Sequence, residues 1–157
     1  MQLHLLRHAE AESFAPSDAA RTLTAKGTEQ ARRVGRYCGK HGLVPQVILT
    51  SPVTRALQTA KLVAGQLDGV ELTEVPWAAC GMDPLEALAE IKAYAEFDSV
   101  MLVGHQPDLG LLAASLLGLP RAAALRVRKA LLVGIELEGN CSAGAGVLQF
   151  FLPVQLM

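Results

Sequence analysis

The chain predicts an α/β fold: one three-layer α/β/α domain over residues 1–157, with a mostly parallel central sheet and helices on both faces. Three observations carry that expectation. Short apolar runs alternate with helix-spaced amphipathic segments almost from end to end, which is the pattern of βαβ units. A length of 157 residues fits one domain and suffices to bury a core without disulfides or a structural metal. Hydrophobic residues at 51% and charged residues at 18% exclude a disordered chain.

Residues 2–6 (QLHLL) read as the first strand, ending at Arg7-His8. Residues 9–23 are small and polar and read as a loop. Thr24 is a good N-cap for a first helix, in which Ala31, Val34 and Cys38 recur at helical spacing while Arg32, Arg33 and Arg36 face elsewhere. Lys40 and His41 suit its C-terminus, and Gly42 closes it. Residues 46–50 (QVILT) read as a second strand. Ser51-Pro52 has the form of an N-cap followed by proline at the first helical position, opening a helix with Ala56, Ala60, Val63 and Leu67 on one face. Residues 70–74 suit a short third strand. Asp83-Pro84-Leu85-Glu86 matches a capping box for a third helix, with Leu85, Leu88, Ile91 and Ala95 inward. Residues 99–103 (SVMLV) are the best central strand. The turn Gly104-His105-Gln106-Pro107 follows, then a helix with Leu109, Leu112, Ala113 and Leu116 inward. Residues 131–137 and 146–152 read as closing strands joined by a turn region around Gly139-Asn140 and 144–146.

Charge and cysteine usage narrow the function classes. Fourteen basic and fifteen acidic residues give a net charge of −1, which argues against a general nucleic-acid binder. Cys38, Cys80 and Cys141 are far apart and lack C-x-x-C spacing, so they are expected to be buried thiols in a reducing compartment rather than a disulfide framework or metal site. Arg7 and Glu10 break the apolar core a signal peptide would need, and the longest apolar stretch, residues 109–119, is too short to span ~30 Å of hydrocarbon. A cytoplasmic protein with no membrane partner is the expectation.

In open α/β sheets ligands bind beyond the carboxyl ends of parallel strands. Three polar sites fall there: Arg7-His8, Ser51 to Arg55, and His105. A neutral imidazole at a strand end is a competent nucleophile toward phosphorus, and arginine presents a planar fork suited to phosphate oxygens. Arg55 lies near a helix N-terminus, where a cation is mildly unfavourable unless an anion is bound. His105 opens another helix, which lowers its pKa. Taken singly, each also fits an ordinary surface or capping role. His4, inside a strand, and His41, at a helix end, are poorer candidates. Two histidines and two arginines at one sheet edge, without a set of metal-spaced ligands, describe a dianion site with a nucleophile.

Residues 5–10 (LLRHAE), 51–60 (SPVTRALQTA) and 103–109 (VGHQPDL) together resemble the histidine phosphatase superfamily, with its phosphoglycerate-mutase-like fold. The short length, the segment RTLTAKGTEQA at 21–31 and the final strands are similar to its small SixA-type phosphohistidine phosphatases. The resemblance spans nearly the whole chain. It implies that His8 accepts the phosphoryl group, that Arg7, Arg55 and His105 clamp its oxygens, and that Arg21 lines the pocket. It implies no metal and no cofactor, and a phosphohistidine-bearing protein domain as partner. One departure is Ala9, where the family places glycine: alanine serves if only its carbonyl is needed, and is strained if the backbone requires φ > 0.

The general acid is the gap. Larger relatives deliver a carboxylate, commonly a Glu, from a longer segment between the second and fourth strands. Here Asp83 and Glu86 are better explained by helix capping, leaving Glu10 and Asp18 as candidate acids. A weak acid suits a phosphohistidine, because imidazole, with a conjugate-acid pKa of about 6.5, leaves more readily than an alkoxide. The short span between Ser51 and His105 has no obvious room for a large lid, so a shallow site open to a protein-borne phosphohistidine is expected. Arg121, Arg126, Arg128 and Lys129 place four cations in nine residues, as a solvated loop or a docking rim for an acidic partner. If the strand that follows runs antiparallel, Lys129 lies at the edge of His8. The competing readings are a small phosphomonoesterase of the same fold acting on a metabolite, and a phosphoprotein-binding module that turns over weakly.

Overall fold

The computed structural model describes residues 1–120, 125–139 and 141–157. Six strands and four helices follow one another as β1 (Gln2–Arg7), α1 (Ala25–Lys40), β2 (Val47–Thr50), α2 (Thr54–Ala64), β3 (Glu71–Glu74), α3 (Pro84–Lys92), β4 (Ser99–Gly104), α4 (Asp108–Leu116), β5 (Leu132–Leu137) and β6 (Gly146–Leu152). Single 3-10 turns at Pro76–Ala78 and Val154–Leu156 supplement them. The strands form one sheet in the order β3-β2-β4-β1-β5-β6. β1, β2, β3 and β4 are mutually parallel, whereas β5 runs antiparallel to both β1 and β6. The mostly parallel sheet expected from the alternation is therefore present.

Strand periodicity divides the core into two layers. Leu3, Leu5, Val47, Leu49, Val100 and Leu102 face one side, where α3 and α4 contribute Leu88, Ile91, Leu109, Leu112 and Leu116. Leu6, Ile48, Met101 and Val103 face the other, against Ala31, Val34 and Cys38 of α1 and Ala56, Ala60 and Val63 of α2. Small residues at the second interface let α1 and α2 lie close together. Gly35 admits no Cβ, since one would come within 2.8 Å of Gln66 and of the Val63 carbonyl.

Caps explain most boundaries. Thr24 accepts the Gly27 N–H at 2.9 Å, and Asp83 accepts those of Leu85 and Glu86 at 2.8 and 3.0 Å, as the sequence predicts. The expected start of α2 at Ser51-Pro52 needs correction: the helix begins at Thr54 with Val53 at its N-cap, while the Ser51 hydroxyl accepts the Val53 N–H and pairs with His105. α2 also ends at Ala64, before Leu67, which is half-buried beyond it. In α3 the inward stripe is Ala87, Leu88 and Ile91. Leu85 sits in the free first turn, 69% exposed, and Ala95 lies past the helix end, exposed. The loop after β1 carries a lone bridge between Ala11 and Leu23. Arg121 and Asn140 lie outside the described residues.

Candidate active site

The sheet order brings the three polar segments together. β4 lies between β2 and β1, so the residues that follow these strands are neighbours at one edge. The His8 N–H donates to the Gly104 carbonyl at 3.0 Å, and the Ser51 N–H to that of Val103 at 3.0 Å, lacing the three strand ends together.

His8 is 4% exposed. Its Nδ1 lies 2.8 Å from the Ala9 carbonyl, which can only accept, so Nδ1 carries the proton. Nε2 is left with a free lone pair, which accepts from Arg55 Nε at 3.2 Å. Ala9 is itself held, its N–H donating to Thr59 Oγ1 at 3.0 Å, while the Thr59 hydroxyl donates to the Arg55 carbonyl at 2.7 Å. Ala9 does not adopt positive φ, so alanine fits where glycine was in question. Among the described residues Ala130 is the one non-glycine with positive φ, and it too touches the site: its N–H is shared between the Arg7 and His8 carbonyls at 3.1 and 3.2 Å.

Arg55 sits in the first turn of α2, and all three nitrogens of its guanidinium are engaged, Nε with His8. Nη1 donates to the Asp18 carbonyl at 2.8 Å, and Nη2 to the Asp18 carboxylate at 3.0 Å and Cys80 Sγ at 3.5 Å. Arg21 binds the other Asp18 oxygen at 3.1 Å. Arg7 donates from Nη1 to the Val127 carbonyl at 3.1 Å. The Nε groups of Arg7 and Arg21 are buried without partners. His105 Nε2 lies 2.8 Å from Ser51 Oγ, and its ring stands 5.3 Å from that of His8.

Electrostatics follow from this crowding. Burial, chiefly, drives the His8 pKa down to about 3, with His105, Arg55 and Arg7 adding to it and the Ala9 bond opposing it. His105 falls to about 4, through burial and then Arg55, with Asp108 and Asp18 opposing. Burial also lowers Arg7, helped by the like charge of Arg55. Both imidazoles are thus neutral at pH 7, among the cations Arg7, Arg21 and Arg55 and the carboxylates of Asp18 and Asp108.

Of the seven residues singled out from sequence, Arg7, His8, Arg21, Asp18, Arg55 and His105 come together here. Glu10 does not join them: its carboxylate turns to Lys26 at 3.1 Å and to the Thr24 hydroxyl at the start of α1. The site is more closed than the short chain suggested, with His8, Arg55 and His105 at 4, 5 and 3% exposure beneath Asp18. Cys80, expected to be buried, is exposed beside Arg55, whereas Cys38 and Cys141 are buried. Thr59 and Asp108 went unrecognised in the sequence. Asp108, buried in the first turn of α4, accepts the Gly81 N–H at 2.9 Å and so pins the loop that carries Cys80. The one local signal for Thr59 is a hydroxyl interrupting the apolar stripe Ala56, Ala60, Val63. Among the described residues no group of three or more His, Cys, Asp or Glu is arranged to hold a metal ion, and no helix is long and apolar enough to cross a membrane.

Comparison with known proteins agrees with the geometry. Residues 3–77 match the model of the histidine phosphatase superfamily, branch 1. The chain is 33% identical over 129 residues to the phosphohistidine phosphatase SixA homolog of Haemophilus influenzae, covering 75% of this chain and 78% of that one. It is 29% identical over 119 residues to phosphohistidine phosphatase SixA of Escherichia coli, 74% of each chain. The structure of the protein histidine phosphatase SixA complexed with tungstate superposes with a TM-score of 0.86 at 24% identity, covering 99% and 98% of the two chains. The same fold is shared, at a TM-score of 0.80 and 19% identity, by an alpha-ribazole phosphatase from Shigella flexneri, with 98% and 97% covered. With a buried imidazole beside arginines at the end of β1, the fold and the comparisons together define a phosphatase of the phosphoglycerate-mutase-like fold. The chain belongs to the histidine phosphatase superfamily and is of the SixA type.

Proposed function

We propose that this phosphatase removes the phosphoryl group from a phosphohistidine borne by another protein, through a phosphorylated His8. The observation that carries the reading is the tautomer of His8. With Nδ1–H bound to Ala9, the lone pair of Nε2 faces the arginines that would hold a phosphate. Arrival of the dianion draws Arg55 off Nε2 and onto phosphoryl oxygens, together with Arg7, Arg21 and His105. Nε2 then attacks phosphorus in line. The substrate P–N bond breaks as the new one forms, and the substrate ring, protonated from solvent on its other nitrogen before transfer, departs as a neutral imidazole. Water next attacks phospho-His8, releasing inorganic phosphate and restoring Nε2.

The choice of leaving group rests on the acids. Arg55, by hydrogen bond and charge, holds the Asp18 carboxyl below the usual carboxylate range, and Lys26 does the same to Glu10. Neither is poised to donate a proton in the free enzyme at neutral pH. That disfavours alkyl phosphates, whose alkoxide wants a proton, and suits a phosphorylated imidazole. Arg7, Arg55 and Arg21 supply the positive charge that a metal would otherwise bring, so activity is expected to persist in chelator.

The test compares a phosphohistidine protein domain, p-nitrophenyl phosphate and a sugar phosphate at one pH, with and without EDTA. kcat/KM for the domain should exceed that for the sugar phosphate by about two orders of magnitude. Rapid quench should trap an acid-labile, alkali-stable phosphoenzyme that His8→Ala abolishes. A sugar phosphate matching the domain would overturn the substrate assignment, and an alkali-labile phosphoenzyme the nucleophile.

A further inference from the structure

The segment that leads into β5 does two things at once. Its backbone supports the site: the Val127 carbonyl accepts from Arg7, and the Ala130 N–H bridges the carbonyls of Arg7 and His8. Its charged side chains face outward. Arg126 and Arg128 flank buried Val127 and are exposed, as is Lys129, whose charge reaches Glu10 at the rim of the site. Antiparallel pairing of β5 with β1 is what places these cations at the edge of His8.

Arg126 and Arg128 also wall a cavity of about 460 Å³. Its remaining lining is apolar: Leu125 and Leu131, with Leu148, Phe151 and Pro153 from β6 and the residue after it. Leu148 is 42% exposed. Among the described residues no acidic side chain lines the cavity. An apolar floor between two guanidinium groups asks for an apolar side chain flanked by carboxylates. That is the chemistry of an acidic, amphipathic protein surface, whereas nucleic acid brings phosphates without aliphatic side chains.

We infer that this groove docks the acidic face of the phosphoprotein substrate, presenting its phosphohistidine to His8 across the 127–130 segment. The inference rests on the protein-phosphohistidine reading above and deepens it. Since Val127 and Ala130 tie the groove wall to the Arg7-His8 backbone, a partner seated there is held within a few residues of the nucleophile. A small phosphate substrate would use none of this surface.

The test is steady-state kinetics of wild type and Arg126→Glu/Arg128→Glu on two probes. One is an acidic phosphohistidine protein domain charged with phosphoramidate, the other free phosphohistidine. For the domain, KM should rise about tenfold with kcat kept, and the wild-type KM should climb with salt. For free phosphohistidine, kcat/KM should stay within about twofold, because the exposed guanidinium groups do not touch the site. Leu148→Ser should raise KM for the domain alone, by about threefold. Unchanged kinetics on the domain would overturn the groove while leaving the substrate reading intact. So would equal losses on both probes, or loss of binding to phosphatidylserine vesicles or RNA in place of the domain. A wild type that turns over free phosphohistidine and not the domain would instead overturn the protein-substrate reading, and the groove with it.

Discussion

Thr59→Val changes a hydroxyl into a methyl group at nearly constant shape, so it opens no cavity. What it removes is the acceptor for the Ala9 N–H, 3.0 Å away in a fully buried position. A buried donor left unpaired costs about 1–3 kcal/mol. For a chain of this size each kcal/mol moves Tm by about 2–4 °C, so a fall of about 2–12 °C is expected. The same peptide unit ends in the carbonyl that sets the His8 tautomer. When Ala9 shifts to find water, the imidazole loses its register with the phosphoryl pocket, and small misplacements of a nucleophile cost about 10–100-fold. kcat on p-nitrophenyl phosphate should fall by that factor, with KM little changed, since the arginines remain. Thr59→Ser keeps the oxygen and should retain most of both properties. Circular-dichroism melting and initial rates measure the two effects. A Thr59→Val protein within about 1 °C and about twofold of wild type would refute the idea that this hydroxyl holds the His8 loop.

The histidines make stability depend on pH with a defined sign. Burial, chiefly, lowers His8 to about 3 and His4 and His105 to about 4, against 6.5 in the unfolded chain. The unfolded chain therefore takes up protons first, so stability is full above pH 6.5 and is lost as pH falls, each group subtracting about 1.4 kcal/mol per pH unit until its folded pKa is reached. His4 packs on Phe150 with its Nδ1 unpartnered, so His4→Leu should flatten about a third of that slope in urea titrations at pH 4.5–6.5 and leave activity unchanged. Gly27→Ala would set a Cβ 1.9 Å from the Glu10 carbonyl oxygen and should destabilise by at least about 1–3 kcal/mol, read from the denaturation midpoint. Asp18→Asn loses the charge that engages Arg55 and Arg21, and should tighten tungstate binding by calorimetry; equal or weaker binding would count against that engagement.

The parts of this molecule legible in its sequence are those governed by spacing along one chain segment. Apolar periodicity located the strands and helices, and the Thr24 and Asp83 caps announced their helices because a cap bonds within three residues. Arg7, His8, Arg55 and His105 were legible because parallel strands deliver their carboxyl ends to one edge. What stayed hidden depends on partners distant in sequence. Ser51 has the form of an N-cap, yet α2 starts at Thr54 and the Ser51 hydroxyl also pairs with His105, 54 residues on. Thr59 and Asp108 look like unremarkable helical residues until Ala9 and Gly81 arrive beside them. Leu85 follows the helical stripe but sits in a free first turn, which periodicity alone does not register. Cys80 has no local feature that separates it from the two buried thiols.

Asp18 gives the pocket a resident competitor. Its carboxylate is tethered to the same chain as Arg21 and Arg55, so it opposes any incoming anion at a high effective concentration that dilution cannot reduce. A monoanion offers Arg55 no more charge than Asp18 already does and has little basis for displacing it. A phosphoryl dianion does, so under the proposed function the carboxylate would set a charge threshold against chloride, acetate and phosphodiesters. The same tether acts after turnover. In the proposed reaction, return of Asp18 to Arg55 and Arg21 would replace the product's contacts one by one, favouring release of phosphate and restoring the Arg55 bond to Nε2.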